Sequence, residues 1–318
     1  MWEPSDALFV LPLTCPMMLP GLSLAALIAI TAAMLLAMRA PNRGYWYDHQ
    51  AVVMQPRRDL VITVAALMLS FGSAHLMERK ASAFRGVVAG EHAPDVEQIN
   101  PIDRLVAGRW STTAKDAGRI FKTTAVYLVP IALLLVAGSV RRRVVLLWVY
   151  SQGYVLTESI TGITKGIVDR LRPFTYIDSV AVSALAPKSR GELLEDLASS
   201  DVHNAFFSGD ASITAFGLLF FALVYRRCYV ADRWRTVVLS AAIIGIVLGM
   251  LFRSLSGKHF PSDVIVGGLV GGLVAWGVIR LHVFTGNETH EHVEHVERHV
   301  RLESVHDIHA AVVNEVHA

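Results

Sequence analysis

Cysteine is scarce in this sequence, with two among 318 residues. Cys15 precedes the first long apolar stretch and Cys228 follows the fifth. If every long apolar stretch crosses a membrane, the two lie on opposite faces, which excludes a disulfide within one chain. Net charge is also small, because 29 basic and 27 acidic residues leave only +2. This excludes the strongly basic surface of a nucleic-acid-binding protein.

The first nineteen residues contain no basic residue, although they do contain Glu3 and Asp6. A cleaved secretory signal begins with a positively charged region. We therefore expect this segment to be an irregular or interfacial lead-in to the first membrane span rather than a removed signal.

Apolar residues are abundant: 53% of the chain is hydrophobic, only 18% is charged, and the mean hydropathy is +0.45. A soluble protein with fully buried helices fits this composition less well than a membrane protein does. Two of the long apolar stretches, the fifth at 211–225 and the seventh at 264–279, are short for a membrane span and need adjoining polar residues to extend them as helices. The predicted fold is an all-α, polytopic membrane helical bundle with seven spans, at about residues 20–38, 60–77, 123–140, 144–164, 211–225, 236–252 and 264–279.

Basic residues indicate the orientation of these spans. They concentrate in the connections between spans one and two, three and four, and five and six, which all fall on one side. The positive-inside rule makes that side cytoplasmic, so we expect an outward N-terminus and a cytoplasmic C-terminus. The residues that carry this prediction are Arg39, Arg43, Arg57, Arg58, Arg141, Arg142, Arg143, Arg226, Arg227, Arg233 and Arg235.

One outward-facing stretch combines Arg253, His259 and Asp263 in the pattern R-x5-H-x3-D. Arginine suits planar binding of phosphate oxygens. Histidine attacks phosphorus when a carboxylate holds its tautomer, and the four-residue step to Asp263 places both on one helical face. The alternative is a polar linker in which Ser262 or Asp263 caps a helix.

Two more outward-facing stretches carry candidate groups. Lys165 and Arg172 are spaced i, i+7 before Pro173, which stacks two cations on one helical face as an anion site; the alternative is snorkelling at a helix end. Ser208 and Gly209 open the fifth span, where free backbone N–H groups suit a phosphate. The alternative for Ser208 is a simple N-cap.

The three motifs K-x6-R-P, S-G and R-x5-H-x3-D occur in this order, each at the outer end of a span. In this the chain resembles the type 2 phosphatidic acid phosphatase superfamily. These integral membrane lipid phosphatases share a helical core with vanadium haloperoxidases. The resemblance covers about residues 60–279 and implies an N-terminal segment with an extra span (1–59), a six-span phosphatase core (60–283) and a His-rich cytoplasmic tail (284–318).

The resemblance also implies roles for individual residues. His259 would be the nucleophile that forms a phosphohistidine, and Asp263 would orient it. The phosphate oxygens would be held by Lys165, Arg172, Arg253, Ser208 and Gly209, with no metal and no cofactor.

Asp210 departs from the family pattern, because the second motif of the family ends in a histidine that protonates the leaving group. Three explanations remain open. Asp210 has a raised pKa and acts as the acid; or the leaving group is itself a phosphate, which favours lipid diphosphates; or the chain is weakened or inactive, by nature or by an engineered change. His203 is an alternative acid, although a solvated loop histidine is the simpler interpretation.

These features predict an outward-facing, metal-independent phosphatase that acts on a lipid phosphate monoester or diphosphate. The rivals are a lipid phosphotransferase and a non-catalytic lipid-phosphate binding or translocating protein. The expected location is the bacterial inner membrane with a periplasmic site, with an organelle membrane as the alternative. Membrane lipids are the only other expected partners, and the sequence indicates neither the lipid nor the oligomeric state. The tail holds seven of the thirteen histidines, as a partly amphipathic helix or a metal-binding segment.

Overall fold

The computed structural model describes residues 55–83, 95–136, 140–228 and 234–282. The predicted span at 20–38, Cys15 and the His-rich tail lie outside the described residues. Within the described ranges the chain is helical and contains no strand. Its helices are α1 (Pro56–Ala83), α2 (Pro101–Arg104), α3 (Thr112–Thr123), α4 (Val129–Val136), α5 (Val140–Ile167), α6 (Ser179–Ala184), α7 (Pro187–Ala198), α8 (Gly209–Cys228), α9 (Trp234–Leu255) and α10 (Pro261–His282).

Five helical segments are long and apolar enough to cross a membrane: Arg57–Ser82, Thr112–Leu135, Gly209–Arg226, Thr236–Leu255 and Pro261–His282. The second of them runs from α3 through a π-helical turn, Thr124–Leu128, into α4. Helix α5 has 28 residues and would extend about 42 Å, but it is not among these five segments. The five segments and α5 overlap six of the seven predicted spans, although the second segment begins eleven residues before the predicted span at 123–140. The predicted all-α, polytopic membrane bundle is confirmed.

Helix α8 lies at the centre of the bundle. Of its apolar stretch, 61% is buried, against 17% to 33% in the other four spans. Phe216 and Phe220 pack against Tyr150 of α5, with ring centroids 5.2 and 5.3 Å away. On its other side α8 meets α10, where a Cβ added to Gly267 or Gly271 would lie 2.5 Å from the carbonyl oxygen of Ser208, just before α8, or 1.9 Å from that of Ser212. Only glycine permits this close approach.

Several helix ends meet at one end of the bundle. Helix α10 starts with Pro261, whose fixed φ suits the first helical position, and Asp263 accepts a hydrogen bond from the Phe260 N–H at 2.9 Å. Ser208 caps α8 by accepting from the Ala211 N–H at 3.3 Å. Near the end of α1, Lys80 donates to three carbonyl oxygens at 2.9 to 3.0 Å, one in the last turn of α5, one just after α5 and one in the segment before α8. The ends of α1, α5 and α9 therefore face the starts of α8 and α10.

Candidate active site

His259 lies in the turn between α9 and α10 and is 1% exposed. Its Nδ1 lies 2.7 Å from the carbonyl oxygen of Ala205. Because a carbonyl can only accept, Nδ1 must carry the proton and Nε2 keeps its lone pair. Burial, followed by the charges of Arg172 and Arg253, lowers the pKa of His259 well below its usual range. The ring is therefore a neutral imidazole with a free nucleophilic nitrogen.

Asp263 is close to His259 but is not its nearest acceptor. One carboxylate oxygen accepts from the Phe260 N–H and lies 4.0 Å from His259 Nδ1. The other oxygen pairs with Arg170. The carbonyl of Ala205, which sequence reasoning missed, makes the shorter contact with the ring. A backbone carbonyl leaves no trace in a side-chain pattern, so no sequence signal marks this acceptor.

The turn before His259 depends on Gly257. Its φ is +76°, and an added Cβ would lie 1.8 Å from the carbonyl oxygen of Arg109. The carbonyl of Gly257 also accepts the Phe174 N–H at 3.1 Å. This contact docks the turn onto the segment that follows Arg172, and it brings the first and third sequence motifs together.

Arg172 is almost fully buried and holds the surrounding loops. Its Nε and Nη2 donate to the carbonyl and carboxylate of Asp201, at 2.8 and 2.6 Å, and Nη1 donates to the carbonyl of Lys258 at 3.1 Å. A guanidinium has five N–H donors, so two remain for a ligand. Burial raises the pKa of Asp201, but the charges of Arg172 and Lys165 more than offset this and hold it below its usual value.

Two predicted phosphate-binding cations retain unused donors. Lys165 forms no ion pair with any described residue, and a Cβ placed on Gly209 would lie 3.7 Å from its Nζ. The Arg253 Nε is buried without a hydrogen-bond partner among the described residues. Lys165, Arg172 and Arg253 all lie within electrostatic range of His259. All eight residues that the sequence suggested thus lie close together, where the ends of α5 and α9 meet the starts of α8 and α10.

Asp210 lies between two cations. Its Oδ1 is 2.9 Å from the Nζ of Lys122, and its Oδ2 is 2.9 Å from the Nη2 of Arg253. Two ion pairs favour the ionised carboxylate, which is not the proton-donating form. His203, the alternative acid, pairs through Nδ1 with the exposed Asp169 at 2.7 Å. Sequence reasoning missed Lys122, although a lysine beside a predicted span is itself a signal.

A further layer, also missed from the sequence, covers the pocket. Lys258 lies 2.5 Å from Asp196 of α7 and sits over the rings of Trp110 and Phe174, 5.4 and 5.2 Å from their centroids. Burial, then the charge of Arg172, lowers the pKa of Lys258 to about 8, against the opposing effect of Asp196. Helix α7 is thereby fastened to the residue that precedes the candidate nucleophile.

A buried polar network supports Asp263 from behind. Arg170 bridges Asp263 and Asp103, and lies 2.6 Å from the latter. Asp103 also accepts from the N–H and hydroxyl of Ser262, at 2.9 and 2.6 Å. Burial raises the pKa of Asp103, but the hydrogen bonds from Ser262 and Arg170 outweigh it, so the net shift is downward. The short helix α2 is thus tied to the start of α10.

Fold and site together define a class: an integral membrane protein, all-helical, with a cationic pocket around a neutral histidine. The family model described as the PAP2 superfamily matches residues 146–286, which include α8, α9, α10 and most of α5. For these residues the match confirms the resemblance drawn from the motifs. Members of this superfamily are generally phosphatases, which supports action on phosphate esters. No solved structure matches the chain at a significant level.

Proposed function

We propose that this protein is a metal-independent lipid phosphatase that hydrolyses a phosphate monoester or diphosphate through a phosphohistidine at His259. One observation carries the proposal. The Nε2 of a neutral, buried imidazole is left free by the Nδ1 contact with Ala205, within electrostatic range of Lys165, Arg172 and Arg253. A nucleophile surrounded by cations suits an anionic electrophile, of which phosphate is the common biological case.

The reaction has two steps in this proposal. In the first, a bond forms between His259 Nε2 and phosphorus while the bond from phosphorus to the leaving oxygen breaks. In the second, water attacks phosphorus, the P–N bond breaks and inorganic phosphate leaves. The unused donors of Arg172 and Arg253 and the ammonium of Lys165 would hold the three equatorial oxygens in both transition states. The Ser208 hydroxyl and the N–H of Gly209 at the start of α8 would add hydrogen bonds.

The location forms part of the same proposal. The basic connections predict a cytoplasmic side opposite the pocket, so the pocket would face outward. In a bacterial inner membrane this is the periplasmic face, with the C-terminus in the cytoplasm. A lipid substrate would present its phosphate there, beside the ends of α5, α8 and α10.

Phosphate release by the purified full-length protein in detergent tests the proposal. The substrates are a lipid monophosphate and a polyprenyl diphosphate, each with EDTA present. His259→Ala should reduce release by about 10⁴-fold or more, because it removes the nucleophile. His75→Ala is the matched control, since this histidine is exposed on α1; it should keep wild-type turnover.

The outcomes separate the candidate functions. Release in EDTA that depends on His259 supports the phosphatase. Transfer of the phosphoryl group to an added alcohol, faster than to water, favours the phosphotransferase. Binding of vanadate by wild-type protein without any turnover favours the lipid-phosphate binding protein. Release that His259→Ala leaves unchanged contradicts the proposal.

A further inference from the structure

We propose that Lys122 is the general acid of this site and that Asp210 is its positioning residue. This inference rests on the proposed phosphatase function. The histidine that ends the second motif in the family has two duties, since it must sit at the start of the central helix and must carry a proton. Here the two duties fall to two residues. Asp210 occupies the position on α8, and Lys122 of α3 supplies the proton.

The geometry places the Lys122 ammonium at the pocket. Its Nζ is 2.9 Å from Asp210, and Asp210 in turn is 2.9 Å from Arg253, a predicted phosphate ligand. The charges of Lys122 and Lys165 are also close enough to interact. An aspartate is shorter than a histidine and holds no proton when ionised. The ammonium of Lys122, paired to Oδ1 of Asp210, restores a proton donor beside the second motif.

Exposure increases along this row of residues. The side chain of Arg253 is 11% exposed, that of Asp210 is 19% exposed and that of Lys122 is 33% exposed. The row therefore leads from the buried nucleophile toward the open side of the pocket. A leaving group must depart in that direction, because His259 attacks phosphorus from the buried side and displacement at phosphorus is roughly in line.

Local packing supports a dedicated contact between α3 and the site. A Cβ added to Gly118, one turn before Lys122, would lie 3.0 Å from the Cδ of Arg253. The missing side chain at Gly118 lets α3 approach the arginine closely. Glu158 of α5 adds a second negative charge near the ammonium. Lys122 is thus oriented by Asp210 of α8 and attracted by Glu158 of α5.

The proton transfers balance in both steps. As the bond between phosphorus and the leaving oxygen breaks, that oxygen takes a proton from Lys122 Nζ, which becomes a neutral amine. When water attacks the phosphohistidine, the amine takes a proton from it and regains its charge. The first transfer is downhill for a lipid alcohol, because an alkoxide, like hydroxide, is the base of an acid with a pKa of about 16, and a lysine ammonium has a pKa of about 10.4.

Dependence on the leaving group tests the assignment. The probes are a short-chain alkyl phosphate lipid, whose leaving group needs a proton, and p-nitrophenyl phosphate, whose leaving group does not. Lys122→Met should lower kcat on the alkyl substrate by about 10²–10³-fold and on the aryl substrate by less than about tenfold. Lys188→Met, at an exposed lysine of α7, is the matched control and should alter neither rate.

Rescue sharpens the test. Adding Asp210→His to Lys122→Met returns a family-type acid to the second motif, so the double variant should recover at least tenfold on the alkyl substrate. Asp210→Asn, which removes the positioning charge but keeps Lys122, should also lower the alkyl rate more than the aryl rate. Vanadate binding to each detergent-solubilised variant checks that the pocket is intact.

Failure of this inference differs from failure of the proposed function. If wild-type protein releases phosphate, but an intact Lys122→Met protein loses alkyl and aryl hydrolysis to the same extent, Lys122 is not the acid. The same conclusion follows if Asp210→His gives no rescue. If wild-type protein releases phosphate from neither probe and not from a polyprenyl diphosphate, the proposed function fails. Release from the diphosphate alone would mean that the leaving group needs no acid, and Lys122 is then not the acid. If Lys122→Met does not fold, Lys122→Gln and Asp210→Asn carry the same comparison of leaving groups.

Discussion

The two ends of the bundle both bury charged groups, but they balance them differently. At one end Asp59 of α1 pairs with Arg58 Nε at 3.1 Å on Oδ1 and accepts from the Gln55 N–H at 3.0 Å on Oδ2, while His282 Nε2 lies 3.2 Å from Oδ1 without forming a hydrogen bond. At the other end, about 30 Å away along α1 and α10, Lys165 has no ion-pair partner and Arg253 has a buried, unpartnered Nε among the described residues.

Under the proposed function, this difference separates structural charges from phosphate-binding ones. Buried groups that find partners within the protein hold helices together. Cations that lack a full set of partners in the protein interior reduce stability, so a site that keeps them is a candidate anion-binding site. Helix α10 reaches both ends of the bundle, because Asp263 and the preceding His259 lie at its start and His282 lies in its last turn.

Among the changes that compare the two ends, removal of an unpaired cation should give the largest effect. Lys165→Met should lower kcat/KM by about 10²–10³-fold, because a donor to the charge of the transition state is lost. The same variant should unfold at an equal or higher temperature, because no ion pair is broken. Phosphate release and a thermal unfolding curve in detergent measure the two quantities. A fall in unfolding temperature together with activity would make Lys165 a structural residue.

A substitution at the Asp59 end should lower stability and leave turnover unchanged. Asp59→Asn keeps the side-chain volume but leaves Arg58 and His282 facing an uncharged amide, which should cost about 3 kcal/mol of stability. Turnover per folded molecule should stay at the wild-type value, because the change is far from His259. Denaturant titration and phosphate release on the same preparation check this. Loss of turnover in fully folded protein would show that the two ends are coupled.

The sequence predicted many of the residues that meet at the candidate site, because phosphate chemistry uses few residue types at short spacings. Lys165, Arg172, Arg253, His259 and Asp263 lie in two short segments, and each is recognisable as a side chain. The helical spans were predicted from apolar length, which the bilayer imposes directly. Patterns of this kind depend only on residues that are close together in the chain, so these predictions needed no tertiary information.

The parts that were missed depend on contacts between distant segments. Ser262 and Asp103 are 159 residues apart in the chain, and no local pattern joins them. The Ala205 carbonyl belongs to the backbone and would be present in any residue. Lys122 lies outside the three motifs, and only the packing of α3 on α9 and α8 brings it to Asp210. The π-helical turn Thr124–Leu128 that follows it was equally invisible.

The network behind Asp263 should give an intermediate effect. Asp103→Asn removes the charge that Arg170 bridges to Asp263 and weakens the bond to the Ser262 hydroxyl. A small displacement of the turn that holds His259 should lower kcat by about tenfold and leave KM unchanged. Asp95→Asn, at an exposed helix cap, is the control. Equal changes in both variants would show that the buried network has no special part in catalysis.

The smallest expected effect is the pH dependence of stability that Lys258 produces. Its pKa in the folded protein is about 8, below its ordinary value of 10.5, so the unfolded chain binds more protons between these values. Stability should therefore rise with pH in this interval, and the cost of the buried ammonium is fully present below about pH 8. Between pH 7 and pH 9 the gain should be about 1 kcal/mol.

Lys258→Met isolates this contribution, because other groups titrate in the same range. The free energy of unfolding of the wild type, minus that of the variant, should become more favourable to the wild type by about 1 kcal/mol from pH 7 to pH 9. Lys188→Met should follow the wild-type curve. A flat difference would mean that Asp196 compensates the buried charge fully, and Lys258 would then belong with the balanced charges at the opposite end of the bundle.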